Sequence, residues 1–210
     1  EQALAGNQFA VVFQPIESAH TGRVVAAEAL LRWNHPTRGL LAPGAFHDLA
    51  DESGLIAPIG DWVLNESART VAEWISTGLV DRGMAIHVNA SRRQLSDITF
   101  VDRALTILRD NNLEGSQLVF ETSEATLVDN NPSVLRTVTA LKRQGVRIAV
   151  DDGVAHQRAA GNRDIVDAHP FVGADRIGSD HANLHQRLVI RRRWKNGGDH
   201  VGLRGQAGAA

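Results

Sequence analysis

The sequence predicts an α/β fold built on a mainly parallel sheet. Two observations carry this. From Arg23 onward, short apolar runs alternate with longer stretches whose apolar residues recur at helical spacing, the pattern of parallel strands joined by helical crossovers. Four of the apolar runs also hold or end in an oxygen-bearing residue: Glu28, Asn89, Glu121 and the pair Asp151-Asp152. In parallel α/β sheets the strand C-terminal ends gather on one side, where active sites sit. An open sheet and a barrel both fit this pattern.

The elements follow in order. Phe9–Ile16 is a short apolar run closed by Pro15, a strand running into a loop. Thr21-Gly22 marks a turn into the strand Val24–Trp33 (VVAAEALLRW). Residues 34–44, with two prolines and two glycines, read as a loop. Phe46, Leu49 and Ala50 have helical spacing, ended by Ser53-Gly54. A longer helix runs from about Pro58 to Thr77, with Ile59, Val63, Val71, Trp74 and Ile75 on one face and Gly78 as its stop. Met84–Ala90 is a strand. Val101, Ala104, Leu105 and Leu108 predict a helix capped by Ser96 or Asp97. Gln117–Glu121 is a strand, Asn131-Pro132 opens a helix that Gly145 ends, and Arg147–Asp152 is a strand again.

A chain of 210 residues is long enough for one ordinary domain. With 22 basic and 24 acidic residues, nothing in the overall charge points to nucleic acid or a membrane surface as partner. The absence of cysteine excludes disulfides and thiolate metal sites and fits a reducing, cytoplasmic compartment. No apolar run approaches the roughly 20 residues that span a bilayer.

The Val24 strand carries the chemistry. A carboxylate within an apolar strand is costly unless paired or bound to a cation. Side chains alternate along a strand, so Glu28, Leu30 and Arg32 share a face. An acid beside a guanidinium suits a metal next to a phosphate; an internal ion pair is the plainer alternative. Asn89, taken alone, could be a turn or cap residue, and Asp151 or Asp152 could cap a following turn. Together the four positions offer hard oxygen donors of the kind Mg²⁺ and Mn²⁺ prefer.

Gln14-Pro15-Ile16, Glu28-Ala29-Leu30-Leu31-Arg32-Trp33, Asn89-Ala90-Ser91, Glu121-Thr122-Ser123-Glu124 and Asp151-Asp152 stand in an order that resembles the EAL family of bacterial cyclic di-GMP phosphodiesterases. The resemblance covers about residues 1–152. It implies a (β/α)₈ barrel, incomplete here with about five strands, and Mg²⁺- or Mn²⁺-dependent hydrolysis of cyclic di-GMP to linear pGpG. By resemblance Glu28, Asn89, Glu121 and Asp151 are metal ligands, and Asp152 serves a second metal or its water. Arg32 binds a substrate phosphate, with Gln14 and Leu31 lining the substrate pocket. Glu124 steadies the loop after the Asp-Asp pair. A homodimer and a place in a longer sensory protein are also implied. Within the match, Ser123 replaces a usual threonine, and His47-Asp48 replaces an apolar residue and proline.

After Asp152 the resemblance stops. The family continues Asp-Asp-Phe-Gly-Thr-Gly; this chain reads Asp152-Gly153-Val154-Ala155-His156. The family's Lys-Ile-Asp strand with its catalytic lysine does not follow, nor does its later glutamate. Residues 153–210 therefore read as a divergent tail without a domain signature, either disordered or a non-native continuation such as an out-of-frame translation. The expectation is a chain with impaired or no turnover, a non-catalytic cyclic di-GMP or protein-binding module, or a non-functional truncated product.

Overall fold

A computed structural model describes residues 1–18 and 21–151. Their framework is a six-stranded mixed sheet: β1 (Phe9–Glu17), β2 (Val24–His35), β3 (Gly39–Leu41), β4 (Ala85–Asn89), β5 (Leu118–Ser123) and β6 (Arg147–Asp151). The strand order is β1-β2-β4-β5-β6, with β3 paired to the far end of β2. β1 and β3 run antiparallel to β2; β2, β4, β5 and β6 are mutually parallel. The parallel sheet expected from the strand–helix alternation is present, and among the described residues it is open. The expectations for Asp152 and for residues 153–210 lie outside the described residues.

Residues 34–44 are not the plain loop that their prolines and glycines suggest. β2 continues to His35, and Gly39-Leu40-Leu41 folds back on it, pairing Trp33 with Leu41 and His35 with Gly39.

Helices cover one face of the sheet. The longest is the 21-residue Ile56–Ser76, which joins β2 and β3 to β4. Thr99–Asp110 joins β4 to β5, and Pro132–Arg143 joins β5 to β6. Each buries the stripe its sequence shows: Ile59, Val63, Val71 and Trp74 in the first, Val101, Ala104 and Leu108 in the second, Val134, Val138 and Leu141 in the third. Against them lie Phe13, Ala27, Ala29, Ile86, Val88, Phe120 and Ile148 from the strands. Full burial of a side chain of this size contributes about 1.5–3 kcal/mol. Gly78 (φ +69°) and Gly145 (φ +84°) end two of the helices in a conformation that side chains with a Cβ rarely adopt. Among the described residues, no helix is long and apolar enough to cross a membrane.

Asn131 caps Pro132–Arg143 as expected, accepting from the Ser133 amide. The start of Thr99–Asp110 differs in detail. Ile98 is the capping position, and Asp97, one residue earlier, accepts from both the amide and the hydroxyl of Thr99. Ser96 instead closes a preceding short helix, Arg92–Leu95, donating to the Arg92 carbonyl. Arg103 joins this corner, reaching Asp97 at 3.0 Å and Asp61 of the long helix at 2.8 Å.

The Thr99 hydroxyl, then Arg103, hold the Asp97 carboxyl below the usual carboxylate range, because both donate to its ionised form. A carboxyl whose folded pKa is depressed contributes stability above its unfolded value, about 3.9, and loses it as pH falls through the folded value. In urea titrations, the stability gap between wild type and Asp97→Asn is expected to stay constant from about pH 7 to pH 5. It should shrink below about pH 4.

Candidate functional site

Register places the site residues. Gln14 pairs with Glu28 across β1 and β2, and Glu28 pairs with His87 across β2 and β4. Two residues further along, Asn89 pairs with Glu121, which pairs with Ala149. Asp151 stands two residues beyond that, opposite Ser123. Directly paired residues share a face, and so do residues two apart. Gln14, Glu28, Arg32, His87, Asn89 and Glu121 therefore all belong to the face turned away from the covering helices. With strands about 4.8 Å apart and about 3.3 Å per residue, Glu28 and Asn89 have Cα atoms about 8 Å apart, and Asn89 and Glu121 about 5 Å.

The floor of this face is a small apolar patch of Ala26, Ala85 and Val119, flanked by Ile16 and Ala149. Above it the polar groups differ in exposure. Glu121 is buried, Glu28 and Arg32 are half-buried, and Gln14 and Asn89 are exposed. Glu28 sits mid-strand rather than at a strand end, because β2 runs on past the last β4 pair, Ala29 with Val88, to meet β1 and β3. It is nonetheless the last inward-facing residue of β2 within the β2–β4 ladder.

Leu31, which the resemblance puts in the substrate pocket, is turned by alternation to the opposite face, where it packs against the main core. What it offers the site side is its carbonyl, which accepts from Arg32 Nη1 at 2.8 Å. Glu124 opens the short helix Glu124–Val128, exposed and directly past the end of β5; Ser123 caps that helix through the Thr126 amide.

His87 is the residue that sequence reasoning missed. Its Nδ1 lies 2.6 Å from Glu121 Oε1, with the side chains 16% and 6% exposed. The signal was available, since His87 is two residues before Asn89 in a strand. A histidine within an apolar strand reads equally well as a core residue. Among the described residues, no three His, Cys, Asp or Glu side chains stand close enough to hold a metal ion. The donor set that the register assembles relies on the Asn89 amide as well.

The turn that follows Asn89 is braced from behind. Two residues on, Ser91 caps the helix Arg92–Leu95 in a reciprocal box with Gln94: the Ser91 hydroxyl accepts from the Gln94 amide, and Gln94 Oε1 accepts from the Ser91 amide at 3.1 Å. Gln94 is 2% exposed, and its Nε2 donates to Asp61 at 3.1 Å. Asp61 in turn holds Arg103. Gly60 makes room for this: a Cβ there would sit 2.4 Å from the Gln94 amide group. Arg103, which its outer helix would mark as remote from any site, thus belongs to the support of the Asn89 turn.

The described residues form an open α/β sheet whose uncovered face carries Glu28, Asn89 and Glu121 on adjacent parallel strands, the layout of an α/β protein with its functional face at the strand ends. Known proteins of this layout supply the family. The EAL domain family model matches residues 1–159, and the chain belongs to the EAL domain family. The bifunctional diguanylate cyclase/cyclic di-GMP phosphodiesterase MucR of Pseudomonas aeruginosa is 38% identical over 151 residues, covering 72% of this chain and 22% of MucR. The cyclic di-GMP phosphodiesterase PdeR of Escherichia coli is 34% identical over 151 residues, with 72% and 22% covered. Among solved structures, the PaMucR phosphodiesterase in complex with c-di-GMP superposes with a TM-score of 0.69 at 36% identity, covering 75% of this chain and 63% of that one. The FimX EAL domain from Pseudomonas aeruginosa bound to c-di-GMP gives 0.62 at 27% identity, covering 71% and 59%. The chain spans about a fifth of the length of these curated relatives. These neighbours give the fold a TIM-like barrel character, of which the described residues form an open part.

Because Gln94 is buried and held at both ends of its amide, it has little room to yield. Gly60→Ala is expected to destabilise the chain by about 1–3 kcal/mol, the usual cost of overpacking, measured by urea denaturation. Gly44→Ala, where an added Cβ meets open space, is the control and should change stability far less.

Proposed function

We propose that this chain presents the cation- and substrate-facing side of an EAL phosphodiesterase site: it binds cyclic di-GMP together with Mg²⁺ or Mn²⁺, and its hydrolysis to pGpG is impaired. The observation that carries the reading is the single sheet face on which Gln14, Glu28, Arg32, Asn89 and Glu121 stand in continuous register. Its opposite face packs the main core beneath the helices.

The donor chemistry fits a hard divalent cation, since carboxylate and amide oxygens are what Mg²⁺ and Mn²⁺ take. Glu28, Asn89, Glu121 and Asp151 would hold it, with Asp152 serving a second cation or a water. A cation there would neutralise phosphate oxygens and make a bound water more acidic. The chain's own residues do the rest. Arg32 brings a planar guanidinium that matches a phosphate in two hydrogen bonds. Its tether to the Leu31 carbonyl limits where that guanidinium can point. Gln14, exposed beside Glu28, offers an amide to the ligand, and Glu124, just past the end of β5, keeps the supporting role that the resemblance gives it.

Impaired hydrolysis follows from the residues after Asp152, where the family's Phe-Gly-Thr-Gly and Lys-Ile-Asp segments give way to Gly153-Val154-Ala155 and an unrelated run. Binding needs the face described above. Turnover also needs a residue to manage the attacking water's proton, and that is the missing lysine's role by resemblance.

Calorimetric titration with cyclic di-GMP in Mn²⁺ tests the binding part. Arg32→Ala is expected to weaken binding about tenfold or more, the value of a charged hydrogen bond. Arg136→Ala, on the outer helix Pro132–Arg143, should match wild type. Equal affinity for wild type and Arg32→Ala would remove Arg32 from the site. Chromatography of pGpG tests the second part: turnover is expected at background, and clear turnover that Glu28→Ala abolishes would overturn the impairment.

A further inference from the structure

His87 stands at the centre of the polar face. Register puts it between Glu28 of β2 and Val119 of β5, and its ring reaches forward to Glu121. The contact, 2.6 Å between Nδ1 and Oε1, is short enough to be a strong hydrogen bond to a charged acceptor. Against a carboxylate, which only accepts, this contact is a hydrogen bond in the ring tautomer that carries its hydrogen on Nδ1. Both side chains are largely buried, which limits competition from water for the bond.

A glutamate has three side-chain torsions, and a ligand carboxylate left to rotate loses entropy when it binds an ion. Holding one oxygen removes most of that freedom. We propose that His87 is a positioning residue for Glu121: its Nδ1–H takes Oε1 and leaves Oε2 as the oxygen offered to a divalent cation on the face of Glu28 and Asn89. The proposal rests on the cation-binding reading above. It gives a function to a histidine that the site's sequence motifs do not include. Partners of this kind, which bond a ligand rather than the ion, typically govern metal affinity by about 10–100-fold.

The test uses the full 210-residue chain and Mn²⁺, with free ion measured by electron paramagnetic resonance. His87→Leu removes the donor. His87→Asn restores one, since the amide nitrogen can occupy the place of Nδ1. The expected result is a Kd raised about 10–100-fold in His87→Leu and returned to within about threefold of wild type in His87→Asn. A role in packing alone would not be rescued by asparagine. If Glu28→Ala abolishes Mn²⁺ binding while His87→Leu binds like wild type, the cation reading stands and the role of His87 is overturned. If wild type shows no Mn²⁺ binding, or Glu28→Ala and Glu121→Ala both bind as wild type does, the cation reading falls and this proposal falls with it. A readout free of both metal and His87 substitution comes from ¹⁵N spectra of the imidazole. Nδ1 is expected to be protonated in wild type and to lose that preference in Glu121→Ala. A wild-type ring carrying its only proton on Nε2 would overturn the proposal.

Discussion

The register of β2 on β4 is the constraint on which the rest depends. Ala26–Ala29 lie against Ala85–Val88, and with period-two alternation this sends Ala27, Ala29, Ile86 and Val88 into the helix-covered core and Glu28 and His87 to the other face. A slip of one residue would put Glu28 among Leu64, Val71 and Phe120 and expose the alanines. An unpaired carboxylate there would cost several kcal/mol, a large share of a domain's stability of about 5–15 kcal/mol. The acid that makes the site also enforces the register that places it.

The small residues of β2 have a matching role. Ala27 and Ala29 are almost fully buried, and their size lets the long helix Ile56–Ser76 lie close to the sheet. That helix supplies Asp61 and Gly60, which together seat Gln94 behind the Asn89 turn. Core packing and site geometry are thus one arrangement: the helix that buries Val63, Val71 and Trp74 also holds the polar support for Asn89.

Membership of the EAL domain family and the phosphodiesterases among its relatives fit the oxygen-donor face. Arg103 on an outer helix bonds Asp61, which holds Gln94 behind the Asn89 turn, and the His87 ring meets Glu121 at 2.6 Å. Neither follows from a motif, because both act through residues distant in sequence: Arg103 through Asp61, His87 through Glu121.

The sequence by itself determined five of the six strands, the three large helices with their buried stripes, and the shared face of Glu28 and Arg32. Each of these is a local property, set by side-chain period and by glycine or asparagine at the helix ends. It also carried the motifs that mark the family. What only the tertiary structure decided were pairings across the chain. Alternation alone could separate Leu31 from Arg32, but only the helices packed on one side show that Leu31's face is the core. The return of Gly39–Leu41 onto β2, the Gln94–Asp61 bond and the His87–Glu121 contact join residues whose meeting depends on strand order and helix placement. Side-chain period fixes which way a residue faces, and only the folded chain fixes what it faces.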